Sequence, residues 1–152
     1  MRTALRMGSA ALALLGMTGQ VLAGEGCARR DDRMAMRVAA LQQELMVAAL
    51  TCHAVARYNE FVRSYQPELW RSDDALKAYF IRASGSEDEY HAFKTRLANQ
   101  NSMRSIHDGN YCIEASAAFD STYGARTLNS AVMRTPVMMD DYDNCADSSA
   151  PR

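Results

Sequence analysis

One short stretch of the chain looks like catalytic chemistry: residues 107–111, which read His-Asp-Gly-Asn-Tyr. The remaining sequence has no Gly-x-Ser-x-Gly nucleophile elbow and no glycine-rich loop of the kind that holds phosphates. It also has neither His-Glu-x-x-His nor Cys-x-x-Cys, the usual zinc, redox and haem signatures. Only this stretch therefore indicates catalysis.

The stretch is similar to the His-Asp-x-x-Tyr core of secreted bacterial and fungal phospholipases A2. Members of that family are small helical proteins with two disulfides, in which the histidine activates water and the aspartate helps to bind calcium. The resemblance covers five residues of this chain. It implies a calcium-dependent hydrolase that uses His107 and Asp108, with Tyr111 as the last residue of the motif.

The same residues have the composition of a turn. Asp108, Gly109 and Asn110 are all residue types that favour turns, and Gly109 lies where the phospholipase family has continuous helix. Our preferred interpretation is a turn between two helices, so we predict no catalytic residue and keep the hydrolase as the alternative.

The other polar candidates give weaker indications of a site. His53 lies in an apolar stretch, and His91 follows Glu87 by one helical turn, but neither belongs to a recognised ligand spacing. We therefore predict no metal and no cofactor. A carrier of a metal or a cofactor is kept as a third functional hypothesis. The most basic local patch is interpreted as a solvated helix face: Lys94, Arg96 and Arg104.

The element that must position these residues is a long apolar helix. From Arg33 to Tyr65 apolar residues recur every three or four positions, without glycine or proline. Between residues 45 and 56 almost every face is apolar, but this part is only about 12 residues long, whereas a bilayer span needs about 20. The pattern predicts the buried central helix of a small bundle.

Shorter helices are predicted after it. A second runs from about Pro67 to Ala83 and stops at Ser84-Gly85, and a third opens at a capping box, Ser86 to Glu89, and frays or kinks at 99–102. A fourth covers about 111–123, and a short helix recurs between 127 and 133. We therefore predict an all-α fold, a bundle of about four helices around one long central helix, with two disulfides.

The four cysteines can be paired by geometry. A continuous helix from residue 31 would place Cys52 about 31 Å from its start, too far for Cys27 to reach. Two pairings remain: nested, with Cys52–Cys112 and Cys27–Cys145, or crossed, with Cys27–Cys112 and Cys52–Cys145. We favour the nested pairing, because helix four should start near the end of the central helix that carries Cys52.

One polar residue, Asn59, falls on the apolar seam of the central helix. A buried amide needs hydrogen-bond partners, and the expected stacking places the segment with Asn99 and Asn101 at a similar height. These three residues predict a polar layer that fixes helix register, or else a small polar pocket between helices.

The N-terminal segment has the form of a secretory signal peptide. Arg2 and Arg6 precede a short apolar run, and Val21-Leu22-Ala23 supplies small residues for cleavage. We predict a signal peptide over 1–23, a helical domain over 24–133 and an acidic tail over 134–152. Cleavage leaves 15 basic and 18 acidic residues from the 17 and 18 of the full chain.

These observations predict a secreted or periplasmic protein that is not an enzyme. The modest net charge indicates no nucleic-acid partner, and no membrane span is expected after cleavage. We expect the protein to be a binding or structural partner of another protein or of a small ligand. The competing hypothesis is the phospholipase A2-like hydrolase.

Overall fold

The computed structural model describes residues 27–137, which form five α-helices. They are α1 (Arg30–Thr51), α2 (Val55–Ser84), α3 (Asp88–His107), α4 (Tyr111–Thr122) and α5 (Leu128–Arg134). Within this range there is no β-strand, so the predicted all-α class is confirmed. The described helices number five rather than about four, because the short helix that ends at Arg134 is fully formed.

The first helix is the centre of the bundle and packs against all four of the others. One side, with Val38, Leu41 and Leu45, joins a core cluster with α2, α4 and α5. The opposite side, with Met36 and Ala40, joins a second cluster with the end of α2 and with α3. Burial on both sides explains why the sequence of α1 is apolar around most of its circumference.

The predicted length of this helix is wrong, because it ends at Thr51 instead of Tyr65. Cys52 caps it, His53 adopts a left-handed conformation with φ of 56°, and Val55 begins α2. The Ala54 N–H still donates to the Ala49 carbonyl at 3.0 Å, so the reversal is tight. The apolar spacing continues across such a corner, so the seam gives no sign of the break.

The second helix returns antiparallel to the first. Arg82 near its end pairs with Asp32 at the start of α1, with 2.7 Å between Nη2 and Oδ2. Pro67 was predicted to end one helix and begin another, but the two segments join at a kink in which Tyr65 has non-helical angles. Proline has no N–H for the preceding turn, which accounts for the kink. Gly85, with φ of 78°, ends the helix as predicted.

The remaining helices follow the prediction more closely. α3 begins at Asp88, whose N–H donates to Ser86 Oγ at 3.3 Å, and continues to His107 without fraying at 99–102. α4 and α5 occupy the predicted places. Among residues 27–137, every helix is too short or too polar to span a bilayer.

The predicted Cys52–Cys112 disulfide is confirmed, with 5.6 Å between the two Cα atoms. It joins the α1–α2 corner to the first turn of α4, and it excludes the crossed pairing. Cys145, the predicted partner of Cys27, lies outside the described residues, as do the predicted signal peptide and the acidic tail beyond Val137.

The predicted polar layer of three asparagines is wrong. Asn59 and Asn99 are exposed, and only Asn101 is buried, where its amide donates to the Leu97 carbonyl at 2.9 Å. The error follows from the break at Cys52. Because α2 starts a new helix, Asn59 does not continue the buried face of α1.

Removing the described disulfide tests its place in this fold. The double substitution Cys52→Ser and Cys112→Ser should lower the free energy of unfolding by about 2–5 kcal/mol, since it frees the corner from α4. Urea unfolding followed by circular dichroism measures the change. Cys27→Ser with Cys145→Ser, which would remove the predicted second bridge, is the matched control and should lower the free energy of unfolding by a smaller amount, because Cys27 precedes the first helix. An equal or larger loss in the control would contradict this ranking.

Candidate functional site

A cleft of about 490 Å³ opens between α1, α3, α4 and the chain that follows α5. Its floor and walls include small or apolar residues, among them Ala117, Ala118 and Val137. Four charged side chains also line it: Glu44, Arg104, Glu114 and Arg134. An apolar cavity of this size with a few convergent polar groups is the usual form of a small-ligand site.

Glu44 is the unusual member of this group, because its carboxylate lies in the protein interior. The residue is only 5% exposed and sits on the α1 face between Leu41 and Leu45. Burial raises the pKa of the Glu44 carboxyl, and the nearby charge of Arg104 opposes that rise. A buried carboxyl with a shifted pKa at a cleft is characteristic of functional sites.

Arg104 connects the two acidic residues of the cleft. Its Nη1 lies 3.4 Å from Glu44 Oε1 and its Nη2 lies 2.7 Å from Glu114 Oε2. The guanidinium carbon is 5.4 Å from the centroid of the Tyr111 ring. One cation therefore compensates a buried and a more exposed carboxylate, and it ties α3 to α1 and α4.

Tyr111 forms the wall behind this ion-pair network. It is almost fully buried at the start of α4, and its hydroxyl donates to the Glu44 carbonyl at 3.3 Å. Burial, with a smaller contribution from Glu44, raises the pKa of Tyr111 to about 12. The phenol is therefore a neutral hydrogen-bond donor that holds α4 against α1.

The residues of the phospholipase-like motif are not brought together. His107 is exposed at the end of α3, and Asp108 caps that helix. The Asp108 carboxylate accepts the Asn110 N–H at 2.9 Å, as in a turn, and within residues 27–137 it makes no hydrogen bond to His107. Tyr111 points into the core instead. Gly109 and Asn110 form the predicted turn.

The other two histidines are also exposed. His53 lies at the α1–α2 corner, and the His91 imidazole lies 4.0 Å from Glu87. No group of three or more histidine, cysteine, aspartate or glutamate residues in the described part of the chain is placed to hold a metal ion.

A second depression, of about 360 Å³, lies beside the disulfide. Its central cation is Arg57, which donates to Ser116 Oγ at 2.9 Å and pairs with Asp120. The same guanidinium lies over the rings of Phe119 and Tyr123. Because these contacts occupy the cation, they act as a tie between α2 and α4.

The charged residues of the main cleft are not among the site residues predicted from the sequence. One signal was present: Glu44 lies three residues after Leu41 and one before Leu45, on a helix face that is otherwise apolar. An acidic residue in that position needs a partner. The partner is Arg104, and its predicted place on a solvated face is wrong, because it pairs with Glu44 and Glu114.

The buried carboxyl gives a prediction about pH. Folding raises the pKa of the Glu44 carboxyl above its value in the unfolded chain, which is near 4.5. The stability that Glu44 contributes is therefore fully present below the unfolded pKa, and it is lost as the pH rises through the folded pKa. The free energy of unfolding of the native protein minus that of Glu44→Gln should therefore decrease as pH rises above 4.5. Urea titrations across pH measure this difference.

Glu114→Gln is the matched control for this measurement, because it removes a carboxylate from the same arginine at a position where the side chain is 53% exposed. The difference in the free energy of unfolding between the native protein and Glu114→Gln should change less with pH. A difference for Glu44→Gln that grows as pH rises would contradict the account.

Comparison with protein-family models, with curated proteins and with solved structures gave no match to this chain, so its function must be argued from its own residues.

Proposed function

We propose that this chain is a secreted or periplasmic binding protein that holds a small ligand in the cleft beside Glu44, Arg104 and Glu114. The observation that carries the proposal is the cleft itself, where a fixed ion-pair network lies next to apolar walls. Its volume of about 490 Å³ is within the range of small-molecule sites.

The arrangement favours binding because its parts are held in place before a ligand arrives. Arg104 is fixed by two carboxylates, and Tyr111 is fixed by the core and by its bond to α1. Preorganised groups lose little conformational entropy when a ligand binds. A protein partner that presents a side chain to this cleft would meet the same preformed walls.

The proposed compartment is an oxidising one. The described Cys52–Cys112 bridge is compatible with it, and a second bridge, Cys27–Cys145, belongs to the proposal. A cleavable signal peptide over 1–23 would deliver the chain there. Mass spectrometry of peptides from the secreted protein, without reduction, identifies both the N-terminus and the pairing.

The binding proposal predicts that His107 has no catalytic role. His107→Ala should change the free energy of unfolding by no more than about 0.5 kcal/mol, because the side chain is exposed. The purified protein should release no fatty acid from phospholipid vesicles, with or without calcium. Calcium-dependent release that disappears in His107→Ala would refute the proposal in favour of the hydrolase.

The cleft can be tested directly by filling it. Ala117 lines the cleft but is exposed, so Ala117→Phe should block the cleft without disturbing the core. The probe is anilinonaphthalene sulfonate, a dye whose fluorescence rises in apolar sites. We expect the native protein to bind it and Ala117→Phe to bind it at least about tenfold more weakly, a loss of about 1.4 kcal/mol.

Ala83→Phe is the matched control, since Ala83 is an exposed residue near the end of α2, distant from the cleft. It should bind the dye as the native protein does. If Ala117→Phe binds the dye unchanged, the dye occupies another surface and the cleft is not the binding site.

A further inference from the structure

Most polar groups of the cleft already have partners. Both Nη atoms of Arg104 are directed at the carboxylates of Glu44 and Glu114. The hydroxyls of Ser121 and Thr135 contact each other and also bond to backbone carbonyls of their own helices or helix ends. These groups have little hydrogen-bonding capacity left for a ligand.

Arg134 is different from the other charged residues of the cleft. It is the last residue of α5, it is exposed, and it lines the cleft beside Thr135 and Pro136. Among residues 27–137 no acidic side chain pairs with its guanidinium. It therefore offers a complete set of donors in the planar geometry that suits an oxyanion.

The distribution of charge in the cleft also favours an anion. The lining contains two carboxylates and two guanidiniums, so its formal charges cancel. Burial raises the pKa of the Glu44 carboxyl, and the charge of Arg104 opposes that rise. A cationic ligand would have to compete with Arg104 for Glu114, whereas an anion meets Arg134, which pairs with no acidic side chain of residues 27–137.

The geometry points to a ligand class: we infer that the cleft binds an organic anion with an apolar body, whose acid group pairs with Arg134 while its body lies against Ala117, Ala118 and Val137. This inference rests on the proposed binding function and adds the chemistry of the ligand. Charge complementarity supplies the orientation, and the small apolar residues supply the space for the body.

Three probes that share a ten-carbon chain separate charge from apolar contact: decanoate, decanol and decylammonium. Calorimetric titration of the oxidised protein should show that decanoate binds about tenfold more tightly than decanol, with decylammonium the weakest. In Arg134→Gln the affinity for decanoate should fall to that for decanol, while the affinity for decanol stays the same.

Arg126→Gln is the matched control, because it removes the same charge from an exposed arginine that does not line the cleft. It should leave the order of the three probes unchanged. Three results would overturn the anion inference while leaving the binding function intact. They are an equal affinity for decanoate and decanol, a preference for decylammonium, and an equal loss of decanoate affinity in Arg126→Gln. If none of the three probes binds the native protein, the proposed function and the inference fail together.

Discussion

The chain reverses direction within three residues, Cys52 to Ala54, and the rest of the described fold depends on that corner. A left-handed conformation at a residue other than glycine costs about 1–2 kcal/mol, and His53 adopts it. Two features outweigh that cost. The return of α2 buries Phe61 and Tyr65 against α1, and the Cys52–Cys112 disulfide fixes the corner to α4.

The position of the cleft follows from this corner. Because Cys112 is held next to Cys52, the first turn of α4 lies against the second half of α1, and Tyr111 and Glu114 are placed near Glu44. α3 runs parallel to α1 and supplies Arg104 from the other side. The buried carboxylate is tolerated because this cation is within reach, and the space left between the helices and the end of α5 forms the cavity.

The sequence was sufficient for the helical class, the central position of α1, the end of α2 at Gly85, and the Cys52–Cys112 bridge. The first three depend on local signals, namely apolar spacing and residues with strong backbone preferences, whereas the bridge depends on the expected order and packing of the helices. The break at Cys52 was not predictable in this way, because no glycine or proline marks it and the apolar spacing continues across it. The error propagated to Asn59, which was expected inside the bundle and is exposed. The cleft was missed for a related reason: Glu44, Arg104 and Arg134 lie far apart in sequence, and only the packing of α1, α3 and the end of α5 shows that they line one space.

The reversal itself can be measured as a distance. Spin labels can be attached through unnatural amino acids at two exposed positions, Asp31 and Ser64, so that the cysteines are left intact. Pulsed electron paramagnetic resonance then measures the distance between the labels on α1 and α2. Asp31 and Glu68 line the same shallow depression, and Ser64 is one turn from Glu68, so the antiparallel arrangement predicts a distance below about 25 Å. A helix continuous from Asp31 to Ser64 would separate the labels by roughly 50 Å, and that result would contradict both the corner and the cleft built on it.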